Sequence, residues 1–306
     1  MGPPFQYVIG ILGCGEFHTL EAGHLCLMLQ DISEPPVSHE QEGSFVLRVL
    51  FIGDIVGGKG RDTVASHLSR LRQEYAVNYV VANAENAAGG NGLTKAVADE
   101  LFALGIDVLT SGNHIWDKRE ILDFIDDYPR ILRPGNYPPE TPGHSVFFTE
   151  IGSPPRPFAV VNLSGRAFMP PIDCPFRQLD ALLDQLPEET TVLLDFHAEA
   201  TSEKVAMGYY ADGRVAAVLG THTHVPTADE RILPGGTGYI TDVGMCGARE
   251  SVLGVETTAV IRKFTTGMPV RFAVPEAGEG LLCGVLLEID MENRRCLSIK
   301  RIQRIG

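Results

Sequence analysis

From Val46 onward, apolar runs typical of buried strands alternate with stretches whose apolar residues recur at helical spacing. The strand-like runs cover residues 46–52, 77–82, 106–110, 157–162, 191–194 and 214–219. The helical patterns cover residues 64–75, 94–104, 176–186 and 203–210, and Thr94 is suited to cap the second of them. Strands alternating with helices indicate an α/β layered fold. Residues 225–301 are richer in strand-like segments, which we expect to form or join a second sheet.

The first 45 residues differ from the rest. Residues 31–45 are polar and contain two prolines, a composition typical of a disordered linker, and the pattern changes sharply at Val46. We therefore expect residues 1–45 to be an N-terminal extension, either disordered or a mis-assigned start. Residues 46–306 are expected to form a single domain.

Charge and hydropathy exclude several classes of function. The chain has 306 residues, 44% of them hydrophobic, and no apolar run near 18 residues, so we expect a globular protein without a membrane span. The net charge of −14 argues against stable binding of a nucleic-acid polymer, which requires a basic surface. A small phosphorylated molecule held by metal charge remains compatible with this composition. The sequence does not decide whether the chain is a monomer or a homo-oligomer.

The six cysteines show no C-x-x-C pair and no dense cluster. In a chain of this length, such spacing favours reduced thiols over a disulfide framework or a zinc site. The expected location is the cytoplasm.

Each strand-like run is followed by a polar cluster that contains possible metal ligands. In open α/β sheets, ligands bind beyond the carboxyl ends of the strands, so we expect these clusters to meet in one crevice. Taken singly, each residue has an ordinary structural explanation, such as a helix cap or a turn, but all of these explanations together are improbable. The candidate ligands are Asp54, Glu85, Asn86, Asn113, His197, His222 and His224.

This mixed oxygen and nitrogen set exceeds what one tetrahedral zinc needs. It suits two ions of coordination number five or six, such as iron or manganese. One carboxylate must then bridge them, and Glu85 is the best candidate. Two ions about 4 Å apart can activate a bridging hydroxide and neutralise a phosphate during in-line displacement. His114, next to Asn113, is placed to protonate the leaving oxygen.

The segment Gly220-Thr-His-Thr-His224 follows a strand-like run directly. We expect His222 and His224 to lie on one side of the chain, because side chains alternate with period two along an extended backbone. Such a pair is a common metal-ligand geometry. A polar loop with two solvated histidines is the alternative for an isolated H-x-H pair.

The order Asp, acidic residue, Gly-Asn-His, His and Gly-x-His-x-His resembles the calcineurin-like metallophosphoesterase superfamily over residues 46 to about 247. The strings NAENAAGG at 83–90, DFHAEATSEK at 195–204 and GTHTHVPTAD at 220–229 are similar to the bacterial YmdB-type branch. The resemblance implies a four-layer α/β/β/α sandwich. It also implies a cytosolic di-iron phosphodiesterase, with manganese the next choice of metal, acting on 2′,3′-cyclic nucleotides.

Two residues depart from the wider superfamily and agree with that branch. The superfamily's first motif is usually Asp-x-His, but Val56 stands where the histidine would be, and Asn86 is its expected substitute. Glu85 takes the place of a bridging aspartate. Carried over by position, one metal takes Asp54, Glu85, Asn86 and His224, the other takes Glu85, Asn113, His197 and His222, and His114 is the general acid.

Substrate contacts are less sharply indicated. Gly90 and Asn91 are candidates to line the substrate pocket, although a plain turn explains them as well. Arg166 is a candidate phosphate or nucleotide contact, with a surface ion pair as the alternative.

Three other functions remain open at this point. Residues 53–60, GDIVGGKG, fit the G-x4-G-K part of a P-loop, but Gly60 replaces the Ser or Thr that should contact magnesium. A broad-specificity phosphomonoesterase would use the same ligands, because nothing in the motifs selects diesters over monoesters. A regulatory protein with weak hydrolase activity would also keep them.

Overall fold

The computed structural model describes residues 45–306. The predicted extension therefore lies outside the described residues, apart from Phe45. The strands are β1 (Val46–Ile52), β2 (Asp54–Ile55), β3 (Tyr79–Asn83), β4 (Val108–Thr110), β5 (Val146–Ile151), β6 (Arg156–Ser164), β7 (Thr191–His197), β8 (Ala217–Thr221), β9 (Arg231–Ile232), β10 (Gly238–Ile240), β11 (Met245–Ala248), β12 (Gly280–Asp290) and β13 (Arg295–Ile305). The α-helices are α1 (Gly57–Glu74), α2 (Lys95–Ala103), α3 (Pro175–Leu183), α4 (Thr201–Ala211) and α5 (Thr257–Thr266). Two 3₁₀ helices, Arg119–Asp123 and Ile125–Asp127, follow β4.

These strands form two sheets. The first has the order β2-β11-β12-β1-β3-β4, with β13 also paired to β12. The second has the order β5-β6-β7-β8-β10-β9. The late strands divide between them, since β9 and β10 join the second sheet while β11, β12 and β13 return to the first. The expectation that the late strands belong to a second sheet is thus correct only for β9 and β10, because β12 pairs antiparallel with β1.

Alternate residues of the central strands enter different apolar layers, as a period of two requires. Leu50 of β1 packs against Leu68 of α1, outside the first sheet. Phe51, one residue later, packs between the sheets with Phe158 of β6. On its far side, the second sheet packs against α3 and α4 through residues such as Met207. Three apolar layers separate four structural layers, and the predicted α/β/β/α sandwich is confirmed.

Local signals agree with most of the helix and strand positions. Thr94 caps α2 as predicted, because its hydroxyl accepts a hydrogen bond from the backbone N of Val97 at 3.4 Å. The run expected at 214–219 appears as β8 at Ala217–Thr221. It begins later because the backbone N atoms of Arg214 and Val215 still donate to the carbonyl of Ala211, at 2.9 and 3.2 Å. Among the described residues, no helix is both long and apolar enough to cross a membrane.

In each sheet, neighbouring strands that run parallel have their carboxyl ends at the same edge. In the first sheet β1, β3 and β4 are parallel neighbours, and in the second β6, β7, β8 and β10 are. The polar clusters recognised in the sequence follow the carboxyl ends of these strands, which is the usual position of a ligand site in an α/β sheet.

Candidate metal centre

The predicted metal ligands come from both sheets. Those of the first sheet follow β1, β3 and β4, while those of the second end β7 or follow β8. The structure brings together Asp54, Glu85, Asn86, Asn113, His197, His222 and His224.

His197 lies at the centre of this group and is fully buried. Its Nε2 atom is 3.1 Å from Oε1 of Glu85 and 3.0 Å from Nδ1 of His222. Oδ1 of Asn113 is 3.2 Å from the same nitrogen. The ring lies directly against Gly112, where a Cβ atom would be only 2.1 Å from Cδ2 of His197. The glycine of the Gly-Asn-His motif therefore makes room for this histidine.

The remaining candidate ligands lie on another side of Glu85. Nδ2 of Asn86 is 3.2 Å from Oε1 of Glu85 and 3.3 Å from Nε2 of His224. Oδ1 of Asp54 is 3.8 Å from Nε2 of His224 and 3.9 Å from Nδ1 of His197. Glu85 contacts both His197 and Asn86, and so it lies between the two sets of candidate ligands, while its role as the bridging carboxylate stays a prediction.

The chemistry of these side chains fits a cation. Oδ1 of Asp54 has no hydrogen-bond partner although the residue is fully buried, and an uncompensated buried carboxylate oxygen is costly. The ligand atoms of Glu85, His197 and His222 all lie within 4.8 Å of one another. Asn86 presents its amide nitrogen to the group, so ligation through its oxygen needs a half-turn of the amide.

Burial and close contact shift the protonation of this group. Burial raises the pKa of Asp54 above its usual value. Burial acts in the same direction on Glu85, but the charge and hydrogen bond of His197 outweigh it and lower the pKa of Glu85 to about 2. Burial works to lower the pKa of His197, yet the neighbouring Glu85 raises it to about 9. Burial and the charge of His197 lower the pKa of His222 to about 3. A metal ion that binds Nε2 of His197 therefore has to displace a proton.

A buried carboxylate that the sequence reasoning did not assign orients His197. Oδ2 of Asp195 accepts hydrogen bonds from the Thr110 hydroxyl at 2.5 Å and from Nδ2 of Asn83 at 3.1 Å. Its Oδ1 accepts from the Thr221 hydroxyl at 2.8 Å, and Nδ1 of His197 lies 2.9 Å from that hydroxyl. Because Thr221 gives its only proton to Asp195, it accepts one from Nδ1 of His197. In the neutral ring, Nε2 is then the atom free to bind a metal.

The signal for Asp195 was present in the sequence. Asp195 and His197 are two residues apart on β7, so their side chains lie on the same face of the strand. Burial raises the pKa of Asp195 to about 7, while the charge of His197 and the hydroxyl donors partly counter this by favouring the carboxylate.

The H-x-H segment does not continue the extended backbone of β8. His222 and His224 have φ angles of 100° and 66°, in the left-handed region that residues other than glycine rarely adopt. The expectation that strand alternation places both rings on one side is therefore wrong. Oδ2 of Asp242 stabilises this turn, because it accepts hydrogen bonds from the backbone N of Thr223 at 3.0 Å and from its hydroxyl at 2.7 Å.

A buried ion pair supports Asp242 in turn. Nζ of Lys204, on α4, lies 2.7 Å from Oδ2 of Asp242, and both side chains are almost completely buried. The other oxygen of Asp242 accepts from the backbone N of Gly244 at 2.8 Å. Lys204 thus supports the histidine turn indirectly, through Asp242. Because the two residues are far apart in sequence, motif analysis does not detect the pair.

His114 lies beside the ligand group with its side chain 41% exposed. Its backbone N donates to Oε2 of Glu85 at 2.9 Å, and Nδ1 of its ring is 2.9 Å from Oδ2 of Asp117. Asp117 also accepts from Nδ2 of Asn91 at 2.9 Å. With Nδ1 turned toward Asp117, Nε2 of His114 is the nitrogen available to a substrate.

A cavity of about 350 Å³ opens onto this group and is lined by Glu85, His114, His222 and His224 among others. Gly90 also lines it. Neither Asn91 nor Arg166 is among the described residues that line the cavity. Arg166 is exposed, and its backbone N donates to the Glu203 carboxylate at 3.1 Å. The role of these three residues as substrate contacts stays a prediction.

The P-loop interpretation of residues 53–60 is wrong. Asp54 and Ile55 form strand β2, which pairs with β11, and Gly57 already begins α1. The segment therefore lacks the open loop that wraps around phosphates in P-loop proteins.

Comparison with known proteins identifies the family of the chain. The sequence model of the family described as "YmdB-like protein" matches residues 50–302. A curated relative from Bacillus subtilis (strain 168), described as a 2′,3′-cyclic-nucleotide 2′-phosphodiesterase, is 48% identical over 257 residues, covering 84% of this chain and 96% of the relative.

Two solved structures are also similar. A hypothetical protein from Thermus thermophilus is 42% identical with a TM-score of 0.78, covering 85% of this chain and all of the other. A structure described as a novel phosphatase from Mycoplasma pneumoniae is 33% identical with a TM-score of 0.81, covering 86% of this chain and 94% of the other.

Proposed function

This chain belongs to the YmdB-like protein family, and from that premise we propose that it is a metal-dependent phosphodiesterase that hydrolyses 2′,3′-cyclic nucleotides. The observation that carries the proposal is the convergence of seven oxygen- and nitrogen-bearing side chains, His197 and six others, at the edge of a cavity. The choice of substrate is supported by the activity under which the Bacillus subtilis relative is described.

Two metal ions fit the donor set. One would be held by Asp54, Glu85, Asn86 and His224, and the other by Glu85, Asn113, His197 and His222. Iron is the first choice and manganese the second, since both accept mixed oxygen and nitrogen ligands. When bound, the ions supply positive charge to the phosphate oxygens and lower the pKa of water.

The chain's own residues supply the proton transfer and the orientation. Hydrolysis forms a bond from a water oxygen to phosphorus and breaks the bond from phosphorus to O2′, and O2′ then needs a proton. His114 is placed to donate it from Nε2, because Asp117 engages the other ring nitrogen. Asn91 donates to Asp117 and holds that carboxylate in place.

Metal analysis together with an activity assay tests the proposal. The protein is purified anaerobically, its metals are counted by mass spectrometry, and 2′,3′-cyclic AMP is assayed beside p-nitrophenyl phosphate. We expect two ions per chain and faster turnover of the cyclic nucleotide. Fewer than two ions, or no turnover of either compound, overturns the mechanism. Faster turnover of the monoester supports the second candidate, a phosphomonoesterase, which the Mycoplasma pneumoniae phosphatase favours.

The role of His114 can be separated from metal binding. His114→Asn should lower kcat by about 10²- to 10⁴-fold, the usual contribution of a general acid, while the metal content is kept. Loss of the metal together with activity would instead make His114 a structural residue. In cells, a phenotype that survives Glu85→Gln despite lost hydrolysis would favour a regulatory role.

The proposed location is the cytoplasm. The four cysteines of the described residues, Cys174, Cys246, Cys283 and Cys296, form no disulfide with one another, which suits a reducing compartment. Homo-oligomer formation stays a prediction.

A further inference from the structure

Four of the residues that line the cavity are aliphatic. They are Val56, Leu253, Val255 and Val274, called here the apolar wall. None of these side chains has a hydrogen-bonding group. The cavity therefore has polar lining residues that suit a phosphate and aliphatic lining residues that do not.

The side chain of Val274 packs against Gly57 and Gly90. A Cβ atom at Gly57 would lie 2.8 Å from Cγ1 of Val274, and one at Gly90 would lie 2.4 Å from its Cγ2. Both glycines also have positive φ angles, 61° and 102°. A side chain at either position would push Val274 away, so the backbone of the motif loops shapes this part of the wall.

Leu253 belongs to a short turn that several hydrogen bonds close. The backbones of Val252 and Val255 exchange two hydrogen bonds, of 2.8 and 3.0 Å. The backbone N of Gly254 donates to the Ser251 hydroxyl at 3.0 Å. Leu253 itself has a φ of 54°, an unfavourable conformation for a leucine, and its side chain remains 47% exposed. A leucine held this way contributes little to a core.

The turn is tied to the candidate metal centre. The carbonyl oxygen of Leu253 accepts a hydrogen bond from Nδ1 of His224 at 3.0 Å. The backbone N of Glu256 donates to the carbonyl of Ala273 at 2.9 Å, which connects the turn to the stretch that carries Val274. The apolar wall is thereby held at a defined distance from the ligand histidine.

We propose that the apolar wall is the subsite for the base of the substrate. This inference rests on the proposed function, in which the metal centre takes the cyclic phosphate. A nucleobase has apolar faces and hydrogen-bonding edges, and branched aliphatic side chains contact the faces but cannot read the edges. The enzyme consequently distinguishes poorly among the four bases, and its affinity for a nucleotide depends on Leu253 and Val274.

Two variants test the subsite. Leu253→Asn removes the apolar surface and tolerates the left-handed backbone, since asparagine adopts it more readily than most residues. Val274→Thr is nearly isosteric and keeps the packing on the glycines. The measured quantity is the ratio of kcat/KM for 2′,3′-cyclic AMP to kcat/KM for glycerol 1,2-cyclic phosphate, which has no base. Leu297→Asn, at a leucine on β13 that is 51% exposed, is the matched control.

We expect the ratio to fall about 10-fold in Leu253→Asn, through a higher KM for the nucleotide, and less in Val274→Thr. The control should keep the wild-type ratio. In the wild type, the four 2′,3′-cyclic nucleotides should have kcat/KM values within about 10-fold of each other. An unchanged ratio in both variants, or a preference above about 100-fold for one base, overturns the subsite. Failure of the wild type to hydrolyse either cyclic phosphate would instead overturn the proposed function.

Discussion

The buried polar network consists of two hydrogen-bonded pairs of almost fully buried residues, Asp195 with Thr221 and Lys204 with Asp242. Leu253 of the apolar wall, by contrast, is nearly half exposed and makes no polar side-chain contact. Both regions adjoin the candidate ligands. In the buried polar network, removing one partner leaves the other polar or charged group unpaired, and an unpaired group away from water lowers the stability of the folded state. On the apolar wall, removing a side chain exposes only its neighbours to water. The network should therefore govern stability and metal affinity, and the wall should govern the affinity for substrate.

The largest effect is expected for Asp242→Ala. It leaves the buried Lys204 without a counter-charge and releases Thr223, so we expect a loss of about 3–5 kcal/mol in the free energy of unfolding. Denaturant unfolding of the apoprotein measures it. The double variant Lys204→Met, Asp242→Ala should regain part of this stability, because the unpaired charge is gone, but should still bind metal poorly. Wild-type stability in the single variant would contradict a role for the pair.

Removal of metal should have the next largest effect. Bound ions stabilise only the folded state, by about 2.7 kcal/mol when free metal is 100 times its Kd, so a chelator should lower Tm by roughly 5–10 °C. Calorimetry with and without EDTA measures the difference, and re-addition of Mn²⁺ is the control. A Tm that does not respond would mean that the buried carboxylates are stable without cations, which contradicts the interpretation of Asp54.

Asp195→Asn should act mainly on metal affinity. The change keeps the shape of the side chain but removes the charge that fixes the Thr221 hydroxyl and, through it, His197, and such changes typically weaken metal binding about 10- to 100-fold. Competition with a fluorescent chelator measures the affinity. Asp99→Asn, at an exposed carboxylate 2.9 Å from Lys95, is the control and should leave it unchanged. Equal metal affinities in the two variants would show that Asp195 does not orient His197 for metal binding.

The smallest effect on stability is expected for Leu253→Asn. Because the side chain is already 47% exposed and lies outside the core, the free energy of unfolding should change by no more than about 0.5 kcal/mol. Guanidinium unfolding of the variant beside wild type measures it. A loss above about 2 kcal/mol would show that the wall supports the fold and would erase the contrast between the two regions.

Sequence analysis grouped the candidate residues that follow the ends of strands. Glu85 and Asn86 follow β3, and Asn113 and His114 follow β4, so strand patterns and the rule for strand ends were sufficient to bring them together. Asp117 and Asp195 lie within a few residues of His114 and His197 and were missed, because a nearby carboxylate has many ordinary explanations. The turn at His222 to His224 was predicted with the wrong backbone, since its conformation depends on Asp242 from another part of the chain.

The sequence by itself determined the layered α/β fold and which side chains to propose for the candidate metal centre, because strand periodicity and the chemistry of side chains are local properties. The four-layer arrangement was implied by the family resemblance, and the packing of the two sheets confirmed it. Only the tertiary structure decided which buried groups orient those donors and where the apolar wall lies. Asp195 reaches Thr110 and Lys204 reaches Asp242 across long stretches of chain, and Val274 meets Gly57 and Gly90 only after folding. Such contacts depend on distances in space, which a linear pattern does not contain.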